Sequence, residues 1–404
     1  MSFQQGLSGL NAAAKNLDVI GNNVANSNTA GFKQGVAEFG DVFAASLGGG
    51  SGTQVGIGTQ ITSVSQQFTQ GNITVSSNPL DVAINGQGFF RMSDNGAITY
   101  TRNGGFGLDK DGYIVGPNGQ NLTGFQAVGG AIVPGVLVNL QLSSTDLLPK
   151  TTSVAGIGAN LASTDPILPI GGFDATKPTT YNFSTASTCY DTLGQAHTMA
   201  LYFNKTAANT WESNVYIDGN AANGAGTSTL TFDSKGVLTA PVPSNPVKSL
   251  VLTNGAAPLS ITMDYSTMTQ FGSGFGVNSL SQDGYASGKL SGYNIGSDGV
   301  ILGRYTNGQS QKLGQIALSN FTNPQGLSPL GDSMWAESPK SGIPLTGSPG
   351  SASLGALQSA AKEDSNVDLT AELVNMITAQ RIYQANAQTI KAQDAVLQTL
   401  VNLK

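Results

Sequence analysis

Residues 7–33 read LSGLNAAAKNLDVIGNNVANSNTAGFK, and the reading of the fold turns on this stretch. With the preceding residues, Phe3, Leu7, Leu10, Ala14, Leu17, Gly21 and Val24 recur at alternating spacings of 4 and 3. That is the a/d pattern of a coiled-coil seam, about three heptads long. Between Met1 and Lys33 the only charged residues are Lys15, Asp18 and Lys33. The pattern then stops in a cluster of neutral amides, Asn22, Asn23, Asn26 and Asn28. An isolated surface helix normally keeps a charged outer face, so this one is expected to be buried between subunits in preference to docking on the same chain's own body. Asn offers donors and an acceptor without charge. The four Asn are expected to bond backbone at the helix end and neighbouring subunits. Gly31 suits a positive φ where the chain turns away.

The other end repeats the pattern. Leu369, Leu373, Met376, Gln380, Tyr383, Ala387, Ile390, Asp394, Leu397 and Val401 alternate at 4 and 3. SNVD before LTAEL supplies cap-type residues. A helix of ~35–40 residues, roughly 55 Å long, is predicted. Left alone, such stripes stay in water. Both ends are therefore expected to lack order in the isolated subunit and to fold on assembly.

The middle differs. Residues 34–70 hold one short amphipathic piece, Phe39, Val42 and Phe43, followed by GGGSG, and read as a semi-ordered connector. From about residue 71 to 360, strand-like runs alternate with DNG, KDG, PNG and TNG turns. DKDGYIVG (109–116) and GSDGVILG (296–303) are two copies of one hairpin signal flanking a long insert. The expected class is mixed and mainly β, with two nested β domains between helical ends. The helical polymerisation domain is 1–28 and 363–404, the connector 29–70, the first β domain 71–145 and 283–362, and the inserted second β domain 146–282.

Composition narrows the function. Charged residues make up 10% of the 404, and Gly numbers 53, against roughly 25% and ~7% in ordinary proteins. A net charge of −6 with no basic cluster argues against nucleic acid. One Cys and one His leave no Cys/His zinc set and no internal disulfide. DKDG lacks the later ligands of a calcium loop and reads as a turn. VGIGTQ and GSGFGVNS complete no phosphate-binding pattern. Asp191 and His197 are better explained by a strand pair with a polar turn than by a catalytic dyad, and Cys189 reads as a half-buried apolar filler in a strand. No catalytic, cofactor or metal set converges. No run of 18 apolar residues suggests a membrane span. No basic, apolar and small-residue succession suggests a secretory signal. The chain is expected either to be cytosolic or to leave the cell by a route that reads no such signal.

The two ends closely resemble the terminal signatures of the bacterial flagellar axial proteins: residues 7–33, and SNVDLTAELVNMITAQRIYQANAQTIKAQDAVLQTLVNL at 365–403. DVAINGQGFF (81–90) looks like the start of that family's first β domain. Rod members are similar to a shorter plan. YDTLGQAHTMALYF (190–203) and GQIALSNFTNPQGL (314–327) instead resemble the hook type. The resemblance implies a structural subunit of the hook, exported by the flagellar type III apparatus and polymerised under a hook cap protein. The product is a hollow curved tube that transmits torque, set between the distal rod protein and the hook–filament junction protein. It implies self-assembly through Phe3, Leu7, Leu10, Leu17, Val24 and Asn22, Asn23, Asn26, Asn28 at one end. At the other it implies Leu369, Leu373, Met376, Tyr383, Ile390, Leu397 and Val401. It implies no cofactor and no membrane insertion. The rival readings are another axial protein, such as the distal rod subunit, and a surface β protein with oligomerising helices.

Overall fold

The computed structural model describes residues 2–42, 56–142, 146–169, 171–222, 228–241 and 245–402. The chain is mainly β, with one helix at each end: α1 (Ser2–Ala25) and α2 (Leu369–Asn402). It divides into two compact units. The first holds residues 1–143, 292–303 and 310–404; the second holds 144–291 and 304–309.

In the first unit α1 and α2 lie side by side. The backbone at Gly6 faces Ile390, that at Gly9 faces Asn386, and Asn23 reaches Glu372, so the helices are antiparallel. Between them in sequence, β1 (Gly35–Val42) pairs antiparallel with β2 (Gly58–Gln66), from Gly35 opposite Gln66 to Val42 opposite Gly58. This corrects the semi-ordered connector. Phe39 and Val42 belong to a strand, and the alternation of apolar and polar residues in GVAEFGDV was the cue. Phe43 and the GGGSG run lie outside the described residues.

The β body of this unit is an antiparallel sheet. Its order runs Ser310–Ile316, Asn121–Val128, Phe89–Asp94, Ala97–Thr101, Met334–Ala336, Ser328–Gly331. Successive strand side chains point to opposite faces, and Phe89 and Phe90 enter different cores. Phe90 joins Val82, Ile84, Met92, Leu122, Ile316 and Leu318. Phe89 joins Tyr100, Phe321, Leu327 and Trp335. In the second cluster Phe68, Phe89 and Trp335 meet edge to face at 5.4–5.7 Å, geometry that adds ~0.5–1.5 kcal/mol per pair beyond burial. Trp335 donates its ring N–H to Gln66 at the end of β2, which ties the hairpin to the body. DKDGYIVG forms the expected hairpin turn. Asp109 Oδ1 accepts the N–H groups of Asp111 and Tyr113, a turn's bonding rather than an ion's.

The second unit has two sheets enclosing one core. One runs Phe183–Tyr190, Ala196–Ala207, Thr210–Ile217, Ser228–Phe232, Leu238–Ala240. The other contains Asn245–Leu250, Leu259–Asp264, Val154–Ala162 and Thr269–Phe271, with Gly276–Gln282 paired to Val154–Ala162. Met199, Leu201 and Phe203 alternate inward from the first sheet to meet Ile157, Leu161, Ile261 and Met263 from the second. Trp211 is fully buried and donates to Gln270 Oε1 at 2.9 Å. Cys189 is fully buried in this core, an apolar filler as expected but deeper than the half-buried place its strand alternation suggested.

Candidate assembly site

The helix pair is built on small residues. On α1 the buried positions are Gly6, Ala13, Ile20 and Asn23. On α2 they are Glu372 and Ala379, with Met376, Asn386 and Ile390 half-buried. A Cβ at Gly9 would come within 2.8 Å of Asn386 Oδ1, and one at Gly6 within 3.1 Å of Ile390 Cγ1. Only bare backbone lets the helices approach this closely. The intrachain seam is therefore Gly6–Gly9–Ala13–Ile20–Asn23, one residue away from the predicted stripe. In the single chain the ends are folded against each other, where the stripes alone pointed to ends that order only on assembly.

The predicted stripe is displaced outward. Phe3 and Leu7 are 45% and 43% exposed, and Leu369 and Leu373 are each 45% exposed. Tyr383 and Leu397 are exposed too. Leu10, Leu17, Val24 and Met376 are half-buried beside the seam, while Ile390 keeps its predicted place in it, against Gly6. The side chain of Val401 lies outside the described residues. Val374, Ile377, Ile382 and Val396 add exposed apolar surface that the sequence reading did not single out. Exposed apolar side chains in this number mark an interaction surface.

The four Asn divide in role. Asn23 is buried and clasps the first residue of β1. Its Nδ2 donates to Gly35 O at 2.8 Å, and its Oδ1 accepts Gly35 N–H at 2.9 Å. Asn26 closes the helix end, donating to Asn22 O and Oδ1 and accepting from Thr29. Asn22 and Asn28 are exposed. The chain then turns at Gly31, φ +71°, where a Cβ would meet Asn103 N at 2.5 Å. Gly31 N–H donates to Glu363 O, joining the segment after α1 to the segment before α2.

Beneath that junction lies a buried charge cluster that the sequence reading missed. Lys33 Nζ is 2.6 Å from Glu363 Oε1 and donates to Thr69 O at 2.7 Å. Arg102 Nε is 2.9 Å from Glu363 Oε2, while its Nη1 and Nη2 donate to Gly88 O and Gly86 O. Gly71 N–H also donates to Glu363 Oε1. Burial pulls the Lys33 ammonium below its ordinary pKa, against the opposing pull of Glu363. Nearby, Gln34 Nε2 donates to Glu372 Oε1 at 2.6 Å, and Gln34 N–H to Asn366 Oδ1 at 2.8 Å. Asp368 caps α2 through Thr370 and Ala371 N–H. The available signal was Lys33 itself, a single charge after a long neutral stretch. Its partner lies 330 residues away, beyond the reach of periodicity.

This arrangement fixes two paired helices to a β body and leaves apolar side chains of both uncovered. No helix among the described residues is long and apolar enough to cross a membrane.

Comparisons with known proteins agree along the whole chain. Residues 3–33 match the flagella basal body rod protein family. Residues 83–147 match the D1 domain of flagellar hook protein FlgE/F/G. Residues 160–285 match the flagellar basal body protein FlaE D2 domain, and 358–403 the flagellar basal body rod FlgEFG protein C-terminal family. The chain is 43% identical over 410 residues to flagellar hook protein FlgE of Escherichia coli K12, with all of both chains covered. It is 33% identical over 426 residues to flagellar hook protein FlgE of Rhizobium meliloti, covering all of this chain and 98% of the relative. Among solved structures, Helicobacter pylori flagellar hook protein FlgE2 superposes with a TM-score of 0.53 at 17% identity, over 72% of this chain and 99% of that one, a likeness of fold. Full-length identity at this level, carried by both helical ends and both β regions, shows that the chain belongs to the flagellar hook protein family.

Proposed function

We propose that this chain is the structural subunit of a bacterial flagellar hook, polymerising into a hollow, curved, flexible tube that passes torque from rod to filament. The observation that carries the reading is the exposed apolar flank of the α1–α2 pair. It supports self-assembly through Phe3, Leu7, Leu369, Leu373, Tyr383 and Leu397, with the exposed Asn28 and the Nδ2 of exposed Asn22 turned to neighbours. Full burial of such a side chain contributes ~1.5–3 kcal/mol, and less where it is already half covered. Six per subunit still give a large gain when every subunit repeats the contact.

The division of labour follows from the same reading. The helical ends hold the polymer together, and the β regions carry its remaining surface. A Gly-, Ser- and Thr-rich surface of low charge suits contacts that are remade as the tube bends, since wet polar contacts exchange without unpacking a core. Gln384, Gln388 and Gln398, exposed along α2 with Lys391 among them, suit the polar wall of a channel that passes unfolded chains. Partners follow from that place: the hook cap protein, the distal rod protein, the hook–filament junction protein and the type III export apparatus. The surface-binding alternative explains neither terminal signature.

The test is electron microscopy of the purified chain under polymerising salt, beside Leu7→Glu/Leu373→Glu. Curved hollow tubes from the parent alone are expected. Straight rigid tubes would favour a rod subunit. Tubes from the double variant would refute the flank as the assembly surface.

A further inference from the structure

The chain has a single histidine, and neither of its ring nitrogens is free. His197 Nδ1 lies 2.6 Å from Asp218 Oδ2, and Nε2 lies 3.3 Å from Asp191 Oδ2. Asp191 is fully buried at the turn after Phe183–Tyr190. Its Oδ1 accepts the N–H groups of Leu193 and Gln195, and its Oδ2 accepts Asn254 Nδ2 at 2.6 Å. Asp218 follows the strand Thr210–Ile217, and its Oδ1 accepts Thr198 N–H at 2.8 Å. Asn254 sits in the loop before Leu259–Asp264, and its Oδ1 accepts Ala256 N–H. One imidazole thus stands where two turns and a loop of the second unit converge.

A neutral imidazole has one N–H and one lone pair. Here both nitrogens face a carboxylate oxygen. A neutral ring must aim its lone pair at an anion on one side, and only the imidazolium satisfies both. We propose that Asp191–His197–Asp218 is a proton-operated latch. The protonated ring fastens the 191–195 turn and the 250–257 loop to the turn at Asp218. Loss of the proton releases the Asp191 side and loosens the wall of the adjoining cleft. That cleft, about 540 Å³, is lined by Gln195, His197, Asp218, Leu250, Val251 and Asn254 among others. The Asp191 side yields because its contact is the longer one and Asp191 keeps three other donors. The short Asp218 contact retains the Nδ1 proton.

A further titratable neighbour is Cys189, opposite His197 in the strand register. Burial, with Asp218 and Asp191 adding, pushes its thiol up to about 11, so it stays neutral in this range. Gln195 and Asn254 are neutral. Burial pulls the ring's pKa down, and the bonds to Asp218 and Asp191 outweigh it, leaving the ring above its ordinary 6.5. The latch is therefore fully fastened below that value and opens as pH rises through the raised one. At the acid end both carboxylates are held below their ordinary 3.8, since the His197 and backbone bonds overcome burial. The latch fails there only as pH falls through those lowered values.

The test uses the unpolymerised full chain with its histidine labelled at Cε1, which gives one ring resonance. A pH titration is expected to show a midpoint above 6.5, and Asp218→Asn is expected to lower it. Each unit of that shift corresponds to about a tenfold change in the opening equilibrium. Amide exchange in residues 191–195 and 250–257, corrected for its intrinsic pH dependence, is expected to rise with the same midpoint in the parent and to stay flat in His197→Gln. A midpoint at or below 6.5, a midpoint that Asp218→Asn leaves unmoved, or identical exchange profiles in parent and His197→Gln would each overturn the latch. The Asp218→Asn arm decides the matter even if His197→Gln fails to fold.

Discussion

Glu363→Gln tests whether the charge cluster under the helix junction holds the first unit together. The side chains of Lys33 and Glu363 have no exposed surface and that of Arg102 has 4%. Two cations share one carboxylate at 2.6 and 2.9 Å. At such separations each pair interacts by ~6 kcal/mol at an effective dielectric of ~20, most of it offset by the cost of burying the charges. Removing the carboxylate leaves the burial cost without the attraction, and such losses run at ~3–5 kcal/mol. The readout is built into the chain, because its two tryptophans lie in different units, Trp335 in the first and Trp211 in the second. In urea melts of single-tryptophan variants, Glu363→Gln should shift the Trp335 transition by ~3–5 kcal/mol and leave the Trp211 transition in place. Lys33→Met should cost less, because it leaves the Arg102–Glu363 pair balanced. Lys33 also gives the deficit a pH dependence. Without Glu363 its folded pKa falls further below the unfolded ~10.4. Between the two values the unfolded chain binds more protons, so stability rises with pH. The gap between variant and parent should narrow from pH 7 towards pH 10. An unshifted Trp335 transition, or equal shifts in both, would refute the reasoning.

Three further outcomes follow from the same contacts. Asn23→Ala removes both bonds to Gly35 at a buried position and should cost ~1–3 kcal/mol in the Trp335 melt; tubes forming from this variant as readily as from the parent would show that the clasp plays no part in assembly. Gly9→Val places methyl groups where a Cβ already lies 2.8 Å from Asn386, and overpacking of ~1–3 kcal/mol should separate the helices, seen as early loss of helical circular dichroism on heating. Cys189, buried and with its thiol raised to about 11, should react with a thiol reagent at pH 8 only as fast as the second unit opens; immediate reaction would contradict its place in the core.

The long elements were legible because their signals are local. α2 shows an apolar repeat and an Asp368 cap, and YDTLGQAHTMALYF shows alternation around a polar turn. Each can be read within a window of a few residues. β1 and β2 were missed because their pairing spans the GGGSG run, and a Gly-rich run reads as a break. Glu363, Glu372, Asn366 and Gln34 were missed for a stronger reason. Each acquires its role from a partner about 300 or more residues away, such as Lys33 with Glu363 or Gln34 with Glu372. Neither propensity nor period encodes such a pair. Asn23 falls between the cases. An Asn cluster at a helix end announces capping, but which amide turns inward depends on β1 lying beneath it.

The one-residue offset between the predicted and observed seams says how the ends work. A strict 4–3 repeat of large apolar residues invites the reading that these residues face the partner helix. Here the intrachain partner takes Gly6, Gly9 and Ala13, whose small size permits close approach, and the large residues beside them are left facing out. On the assembly proposed above, pairing within the chain and contact with other chains would use different faces of the same two helices and would not compete. A subunit can arrive with α1 and α2 already joined, anchored at one end by Asn23–Gly35 and the Lys33–Glu363–Arg102 cluster. The apolar flank is then presented by a body of fixed geometry. Ordering two separate tails at each addition would cost ~1–2 kcal/mol per residue fixed, more than the flank returns. A preformed pair avoids most of that cost, so the low charge and small residues of the seam matter to assembly even where they touch no neighbour.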